Sequence, residues 1–344
     1  MTLTAETPAT RYPRAAGAGR SRGPLGVVAT VVGVLAVATV LSVFVGSRPV
    51  PPAALFDPAH PLHAVAAARV PRTLVALAVG AALGLGGACL QGLTRNPLAD
   101  PGILGINAGA SFAMVLAMGT FGISTLSGFL GFAFVGAGVA MVVVHAIAAW
   151  GREGATPGRI TIAGAAVTAA LGSLTTAALL VDRETMEAFR YWQVGTVGGR
   201  DLTALGTVLP FLGVGALLAV LSARRLDALA LGDDLASGLG ARLAWSRAVV
   251  GVACALLAGG ATALAGPIAF VGLLVPHAAR LLAGPSYARV LPLSALLGAA
   301  LVALADTLGR VVLPPTEVQV GIMTALVGLP AFLWLLRRGR WGTA

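Results

Sequence analysis

Lysine is absent from the 344-residue sequence, and all 23 basic residues are arginines. A P-loop ATPase holds phosphates with a lysine, and Schiff-base and Ser-Lys enzymes need one at the reacting centre. The absence therefore excludes these mechanisms for this chain. If ATP drives the protein, a separate subunit must hydrolyse it.

Charge and cysteine are also scarce. Charged residues make up 10% of the chain, whereas 57% of it is hydrophobic and 46 residues are glycine. This composition excludes a soluble cytosolic enzyme and is typical of a membrane protein. Cys89 and Cys254 each lie inside a long apolar run, so we expect packing residues there, with neither a disulfide framework nor a metal site.

A helix needs about 20 apolar residues to cross a bilayer, and the sequence contains ten candidate runs. They cover residues 25–46, 71–90, 103–120, 128–150, 160–181, 202–221, 246–265, 268–283, 290–308 and 318–336. The eighth is the weakest, because it is short and contains Pro276, His277 and Arg280. We predict an all-α integral membrane protein with ten transmembrane helices over residues 25–344. Residues 1–24 lack a core-forming pattern and are expected to form a disordered cytoplasmic tail.

The positions of the arginines predict how this bundle is oriented in the membrane. Most of them fall in inside segments when both termini are placed in the cytoplasm, as the positive-inside rule requires. The net charge of +10 includes no basic stripe interleaved with aromatic residues, so nucleic acid is not an expected partner. The lipid bilayer is the expected surrounding.

Three arginines oppose the charge bias, because Arg69, Arg72 and Arg310 fall at the outer ends of the second and ninth runs. Guanidinium groups pair bidentately with carboxylates, so this cluster is a candidate socket for acidic residues of a docking protein or for an anionic ligand. Alternatively the side chains reach lipid phosphates, while Arg310 pairs with Asp306 one helical turn earlier. Spacing alone leaves both interpretations open.

The longest inside loop, residues 222–245, contains a potential short helix. Asp233 or Asp234 can cap its start, and Gly240 can end it in a left-handed conformation. Such a helix would offer a rigid surface to a cytoplasmic partner. A solvated connector is the alternative.

Carboxylates are missing from the middle of the apolar runs, where proton- or sodium-coupled carriers usually need one. The acids instead fall in tails, loops and helix ends. Thr316 to Gln319 follow Pro314-Pro315 and predict a capping box that starts the tenth helix at Glu317. His277 follows Pro276, and its imidazole is expected to bond a freed backbone carbonyl and not a metal.

Several blocks of residues, in order along the chain, resemble those of a known family. They are Arg69-Val70-Pro71-Arg72, the stretch from Gln91 through Arg95, Asn96 and Pro97 to Pro101, the loop from Leu231 to Gly240, the stretch from Gly266 through Pro276, His277 and Arg280, and Pro314-Pro315-Thr316-Glu317. The chain resembles a permease subunit of the FecCD type, the membrane component of ABC importers for iron-siderophores, haem and cobalamin. It departs from the family pattern at Val318-Gln319, where Leu-Pro is common.

The resemblance implies a subunit that performs no covalent chemistry and binds no cofactor. Two permease subunits, identical or paralogous, would enclose a pathway in the bacterial cytoplasmic membrane. Two cytoplasmic ATPase subunits would hold ATP and Mg, and an extracytoplasmic binding protein or lipoprotein would deliver a ferric siderophore. Haem or cobalamin is the alternative cargo, and a stand-alone secondary transporter is the alternative outside this class.

The resemblance also assigns residue roles. Arg69, Arg72 and Arg310 match positions whose arginines meet acidic residues of the binding protein. The segment that matches the ATPase cleft comprises Leu231, Gly232, Asp233, Asp234, Ala236, Leu239 and Gly240.

Overall fold

The computed structural model describes residues 24–123, 125–150, 156–238, 240 and 242–337. Residues 1–23 of the predicted tail and Leu239 of the predicted coupling segment lie outside these ranges. Every regular element within them is helical, which confirms the predicted all-α class.

Fourteen α-helices and one 3-10 helix follow one another in the described ranges. They are α1 Pro24–Phe44, α2 Ala53–Phe56, α3 His63–Thr94, the 3-10 helix Pro101–Leu104, α4 Ile106–Phe121, α5 Leu126–Ala149, α6 Pro157–Leu179, α7 Arg183–Gln193, α8 Leu202–Leu221, α9 Ala223–Ala230, α10 Asp233–Gly238, α11 Leu243–Ala265, α12 Val271–Ala283, α13 Tyr287–Val312 and α14 Val320–Arg337.

Seven of these helices are long and apolar enough to cross a membrane, namely α1, α3, α5, α6, α8, α11 and α13. Three shorter apolar helices, α4, α12 and α14, coincide with the remaining predicted runs. All ten predicted apolar runs therefore overlap a helix, in the predicted order. The count of ten membrane crossings stays a prediction.

Helices α3 and α11 form the centre of the bundle, and α13 packs against α3. Buried residues make up 78% of the apolar stretch of α3 and 72% of that of α11, against 17% for α1 and 22% for α6. Both cysteines pack in this centre, where the thiol of Cys254 lies 3.6 Å from the carbonyl oxygen of Gly86. The outer helices keep apolar faces exposed, as expected where lipid or another subunit covers them.

Glycines let α3 and α13 approach closely. A Cβ on Gly80 would overlap the backbone carbonyl of Gly298, and one on Gly84 would overlap that of Ser294. Small residues allow such contact where lipid removes the hydrophobic force between helices. In α4, Gly109 faces Gly136 of α5 in the same way.

Gly105 lies between the 3-10 helix and α4. It has a φ of +74°, in the left-handed turn that ends the 3-10 helix. Glycine adopts this conformation without strain, and here it also lies beside Val144 of α5 and Val167 of α6.

Helix α12 is shorter than its predicted run. Residues 266–270 are non-helical, and Phe270 adopts a left-handed φ of 69° before α12 begins at Val271. Thirteen residues extend only about 20 Å, less than a bilayer core.

The predicted capping box before α14 is wrong. The hydroxyl of Thr316 donates to the carbonyl oxygen of Leu313, and α14 starts at Val320. Residues 317–319 stay non-helical because the N–H of Val318 bonds to Gly309 O of α13 and Glu317 bonds to Arg72 of α3.

The bundle has two charged ends. Arg69, Arg72 and Arg310 share one end with α7, which we call the arginine end, and α9 and α10 occupy the opposite end, which we call the loop-helix end. The end of α1 near residue 44 and the start of α14 at residue 320 both lie at the arginine end. Pro24 and Arg337, at their other tips, therefore lie toward the loop-helix end.

The α3–α13 contact gives a stability prediction. Gly84→Val should destabilise the protein by about 1–3 kcal/mol or more, because the added carbons overlap backbone that cannot move aside. Gly213→Val in α8, where a Cβ meets open space, is the matched control. The thermal unfolding midpoint of the purified protein in detergent measures both, and equal midpoints would contradict the close-packing account.

Candidate functional site

A buried carboxylate organises the arginine end. Arg72 donates from Nη2 to Asp306 Oδ1 at 2.8 Å and from Nε to both Asp306 oxygens at 3.0–3.1 Å. Its Nη1 donates to Glu317 Oε2 at 2.7 Å. The side chain of Asp306 is 2% exposed and that of Glu317 is 41% exposed. Arg72 therefore links α3 to α13 and to the segment that precedes α14.

Arg310 lies deeper, with 1% of its surface exposed. Its Nε is 3.3 Å from Asp306 Oδ2, one helical turn earlier, and its Nη2 donates to Ser42 O of α1 at 2.8 Å. Thr307 Oγ1 lies 3.2 Å from the same nitrogen. Its Nη1 has no partner among the described residues. Asp306 thus pairs with two guanidinium groups, and Arg310 links α13 to α1.

Arg69 completes the cluster without a carboxylate of its own. Its Nη2 donates to Arg48 O at 2.7 Å and its Nη1 to Val43 O at 3.3 Å. Both its guanidinium and that of Arg310 approach Gly46, where a Cβ would lie within 3.5 Å of either. Three guanidinium groups thus meet two carboxylates, which leaves the cluster with one excess positive charge.

The structure brings together the three arginines that the sequence singles out. The alternative pairing of Arg310 with Asp306 is present, and Arg69 and Arg310 are buried. Arg72, whose side chain is 17% exposed, is therefore the most accessible of the three. Their role in docking a binding protein stays a prediction.

The loop-helix end contains a second charged junction, centred on Asp233 of α10. Arg247 of α11 donates to its two oxygens at 2.8 and 2.7 Å. Arg95, the left-handed residue that ends α3, also bonds Asp233 and donates from Nε to Leu229 O of α9 at 2.7 Å. One aspartate therefore joins α10 to both central helices.

Asp233 stays ionised through the physiological pH range. Partial burial opposes ionisation, but the hydrogen bonds and charges of Arg247 and Arg95 outweigh it and lower the pKa of the carboxyl below its usual value. The folded pKa lies below the unfolded one, so the junction stabilises the fold above the unfolded pKa. That stability is lost as the pH falls through the lowered pKa.

The other described residues of the predicted coupling segment surround this junction. Leu231 is exposed, Ala236 is buried, and Gly232 and Gly240 have positive φ values of 104° and 82°. Asp234 is exposed in the first turn of α10. Asp233 lies in the same turn, where its carboxylate binds Arg95 and Arg247.

Gln91 fastens α3 to α12. Its amide donates to the carbonyl oxygens of Gly272 and Leu273 at 3.1 and 3.2 Å, and its carbonyl accepts from Arg280 Nη2. The bonds of Gln91 and the approach of Gly87 to Gly272 hold α12 in the bundle despite its short length.

The residues after Gln91 build a turn. Asn96 Oδ1 accepts from the N–H of Leu98, Asp100 Oδ1 accepts from that of Gly102, and Pro101 begins the 3-10 helix. Pro97 lies in the bend between them. This block therefore acts locally, by placing the 3-10 helix between α3 and α4.

The remaining motif residues lie around α12. Gly266 ends α11 with φ at +77° and packs against the carbonyl of Trp192, while Pro276 lies inside α12. His277 is half-buried beside it. Within the described ranges, no group of three or more His, Cys, Asp or Glu side chains could hold a metal ion.

Sequence reasoning missed α7 and the segment after it, which it treated as a connection. Asp182 caps this helix by accepting from the N–H groups of Glu184 and Thr185. Phe189 and Trp192 form its buried face. An N-cap aspartate followed by helical spacing of large apolar residues was the available signal.

Multiple apolar helices, a polar junction at each end and an absence of strands in the described ranges define a polytopic α-helical membrane protein. The chain belongs to the FecCD transport family, whose model matches residues 34–338.

Known relatives agree in length and fold. The Escherichia coli ferric enterobactin transport system permease protein FepD is 42% identical over 317 residues, covering 90% of this chain and 94% of that protein. The Bacillus subtilis Fe(3+)-citrate import system permease protein YfmD is 43% identical over 272 residues, covering 79% and 80%. A solved structure described as a metal-chelate type ABC transporter in an inward-facing conformation aligns with a TM-score of 0.81 at 25% identity, covering 91% and 99%.

The double role of Asp306 gives a second prediction. Asp306→Asn should destabilise the protein by about 3–5 kcal/mol, because the buried guanidinium group of Arg310 loses its counter-charge and Arg72 keeps only the partly exposed Glu317. Glu317→Gln removes a partly exposed partner of Arg72 and should cost about 1 kcal/mol or less. Chemical unfolding in detergent compares the two, and equal losses would contradict the central position of Asp306.

Proposed function

We propose that this protein is the membrane-spanning subunit of an ATP-driven importer that moves ferric siderophores across the bacterial cytoplasmic membrane. The named cargoes of relatives similar over most of their length, ferric enterobactin and Fe(3+)-citrate, support a ferric chelate. Haem or cobalamin is the alternative cargo of the same importer class. The junction of Asp233 with both central helices is the observation that most favours an external drive.

Helix α3 provides a mechanical path between the two ends. At the loop-helix end, Arg95 attaches α3 to Asp233, and at the arginine end Arg72 attaches it to Asp306. Its 32 residues span about 48 Å as one helix. A displacement of α10 by an ATPase subunit would therefore move α3 and α11 together and change the packing around the arginine cluster.

Each end of the bundle would bind a different partner. Two ATPase subunits, which hold ATP and Mg, would contact α9 and α10, where Leu231 and Leu235 are exposed. A binding protein would place carboxylates against the arginine end, whose excess positive charge supports such a contact. A second permease subunit would cover exposed helical faces, and both chain termini would lie in the cytoplasm. This chain makes and breaks no covalent bond in the cycle.

Reconstitution tests the proposal. Proteoliposomes that contain the full assembly should accumulate radiolabelled ferric chelate against a gradient only when ATP is hydrolysed. Proteoliposomes with this chain alone should accumulate none. Uphill uptake by the chain alone would contradict the importer assignment and favour a secondary transporter.

The Asp233 junction predicts a coupling variant. Asp233→Asn should lower the stimulation of ATP hydrolysis by the binding protein roughly tenfold, because weakening two charge-assisted bonds loosens α10 from α3 and α11. Arg289→Gln is the control, because this exposed arginine lies at the same end of the bundle but outside α9 and α10. Stimulated and basal hydrolysis rates of the assembly measure the effect. Equal stimulation in both variants would remove Asp233 from the coupling path.

The docking assignment predicts an effect of charge at the arginine end. Arg69→Gln should weaken binding-protein affinity roughly tenfold, because it removes one positive charge without breaking a carboxylate pair. Arg289→Gln, an exposed arginine near the start of α13 at the opposite end, should leave affinity unchanged. Surface plasmon resonance on nanodiscs measures both, and unchanged affinity for Arg69→Gln would contradict docking on this cluster.

A further inference from the structure

A cavity of about 400 Å³ opens beside α7. Its lining includes Met114 and Met118 of α4, Phe129 of α5, Thr185 and Trp192 of α7, and Arg200 of the segment before α8. We call this space the α7 cavity. Its volume lies within the range of about 300–1,000 Å³ that is usual for small-molecule sites.

The α7 cavity lies at the arginine end of the bundle. A Cβ on Gly198 would lie 3.5 Å from the guanidinium carbon of Arg72, so the segment that bears Arg200 packs against the arginine cluster. The N–H of Thr196 donates to Ala265 O at 2.7 Å, which fastens the same segment to the end of α11. The cavity wall is therefore fixed on well-packed elements.

Two donors in the cavity wall lack acceptors. Arg200 Nε and Trp192 Nε1 are both shielded from solvent, and neither has a hydrogen-bond partner among the described residues. Arg200 also has no carboxylate partner there, and burial lowers the pKa of its guanidinium. Each unmet buried donor costs about 1–3 kcal/mol, and more when it is charged. A ligand that supplies oxygen acceptors would recover that cost.

Two acids line the cavity but do not neutralise Arg200. Asp182 uses its oxygens to accept from the N–H groups of Glu184 and Thr185 and from the hydroxyl of Thr185. Glu184 is exposed at the start of α7. Beside these two acids, the lining combines the Arg200 guanidinium with its unpartnered Nε, an indole donor and an apolar wall of methionine and phenylalanine side chains.

We propose that the α7 cavity binds an anionic, oxygen-rich chelate of ferric iron, with Arg200 and Trp192 donating to its oxygens and Met114, Met118 and Phe129 packing on its apolar part. This inference rests on the proposed import of ferric chelates. Arg200 is then a specificity-determining residue, which favours chelates with a net negative charge over neutral ones of similar size.

Binding to the full-length protein in nanodiscs tests the site. The probes are an anionic ferric tris-catecholate and a neutral ferric tris-hydroxamate, and the readouts are quenching of tryptophan fluorescence and the thermal unfolding midpoint. Arg200→Gln should weaken binding of the tris-catecholate roughly tenfold or more, because a charge-assisted bond is lost, and should change binding of the tris-hydroxamate little. Trp192→Phe, read by the unfolding midpoint, should weaken tris-catecholate binding by a smaller factor.

Arg190→Gln is the matched control, because Arg190 is exposed on α7 and does not line the cavity. Without ligand, Arg200→Gln should unfold at the same or a higher temperature than the wild type, since it removes a half-buried guanidinium whose shielded Nε has no partner among the described residues. A marked loss of stability would instead indicate a structural role and overturn the proposal.

Two further outcomes would overturn it. The first is equal affinity of Arg200→Gln and Arg190→Gln for the tris-catecholate. The second is an Arg200 effect that occurs only in nanodiscs with phosphatidylglycerol, which would assign the cavity to a lipid phosphate.

ATP-driven uptake by the wild-type assembly is measured in parallel. Intact uptake alongside either result rejects this site alone, whereas absent uptake of every ferric chelate rejects the proposed function.

Discussion

Asp306 is the constraint on which the arginine end depends. Its carboxylate is almost fully buried, and it contacts the guanidinium groups of Arg72 and Arg310 from two different helices. Arg310 in turn bonds α1 through Ser42, and Arg72 bonds the segment before α14 through Glu317. Four chain segments therefore meet around one charge, in surroundings where an unpaired ion would cost several kcal/mol.

The loop-helix end repeats this arrangement, because Asp233 also forms ion pairs with two arginines. This junction is more exposed, with 36% of the Asp233 side chain accessible. Weaker, screened pairs suit a contact that has to move during a cycle, whereas the buried pairs at the arginine end suit a fixed contact. Helix α3 contributes an arginine to both junctions, so the protein has one rigid element with a firm attachment at one end and a yielding one at the other.

Apolar length and arginine placement predict the all-α class, the order of the helices and the meeting of Arg69, Arg72 and Arg310. They do not predict which groups each arginine bonds, because Asp306 and Glu317 lie more than 200 positions from Arg72 along the chain. The start of α14 differs from the prediction for the same reason, since tertiary bonds to Gly309 and Arg72 override a local capping pattern. Helix α7 escapes hydropathy because it is amphipathic and short.

The dependence of binding-protein affinity on nucleotide, measured with the assembled transporter, tests the link through α3 most directly. Binding at one end and nucleotide state at the other are coupled free energies, so each must change the other by the same factor. The account predicts that ATP changes the affinity in the wild type, and that Asp233→Asn retains the nucleotide-free affinity but loses the change. An undiminished change in Asp233→Asn would contradict the transmission of force through Asp233 and α3.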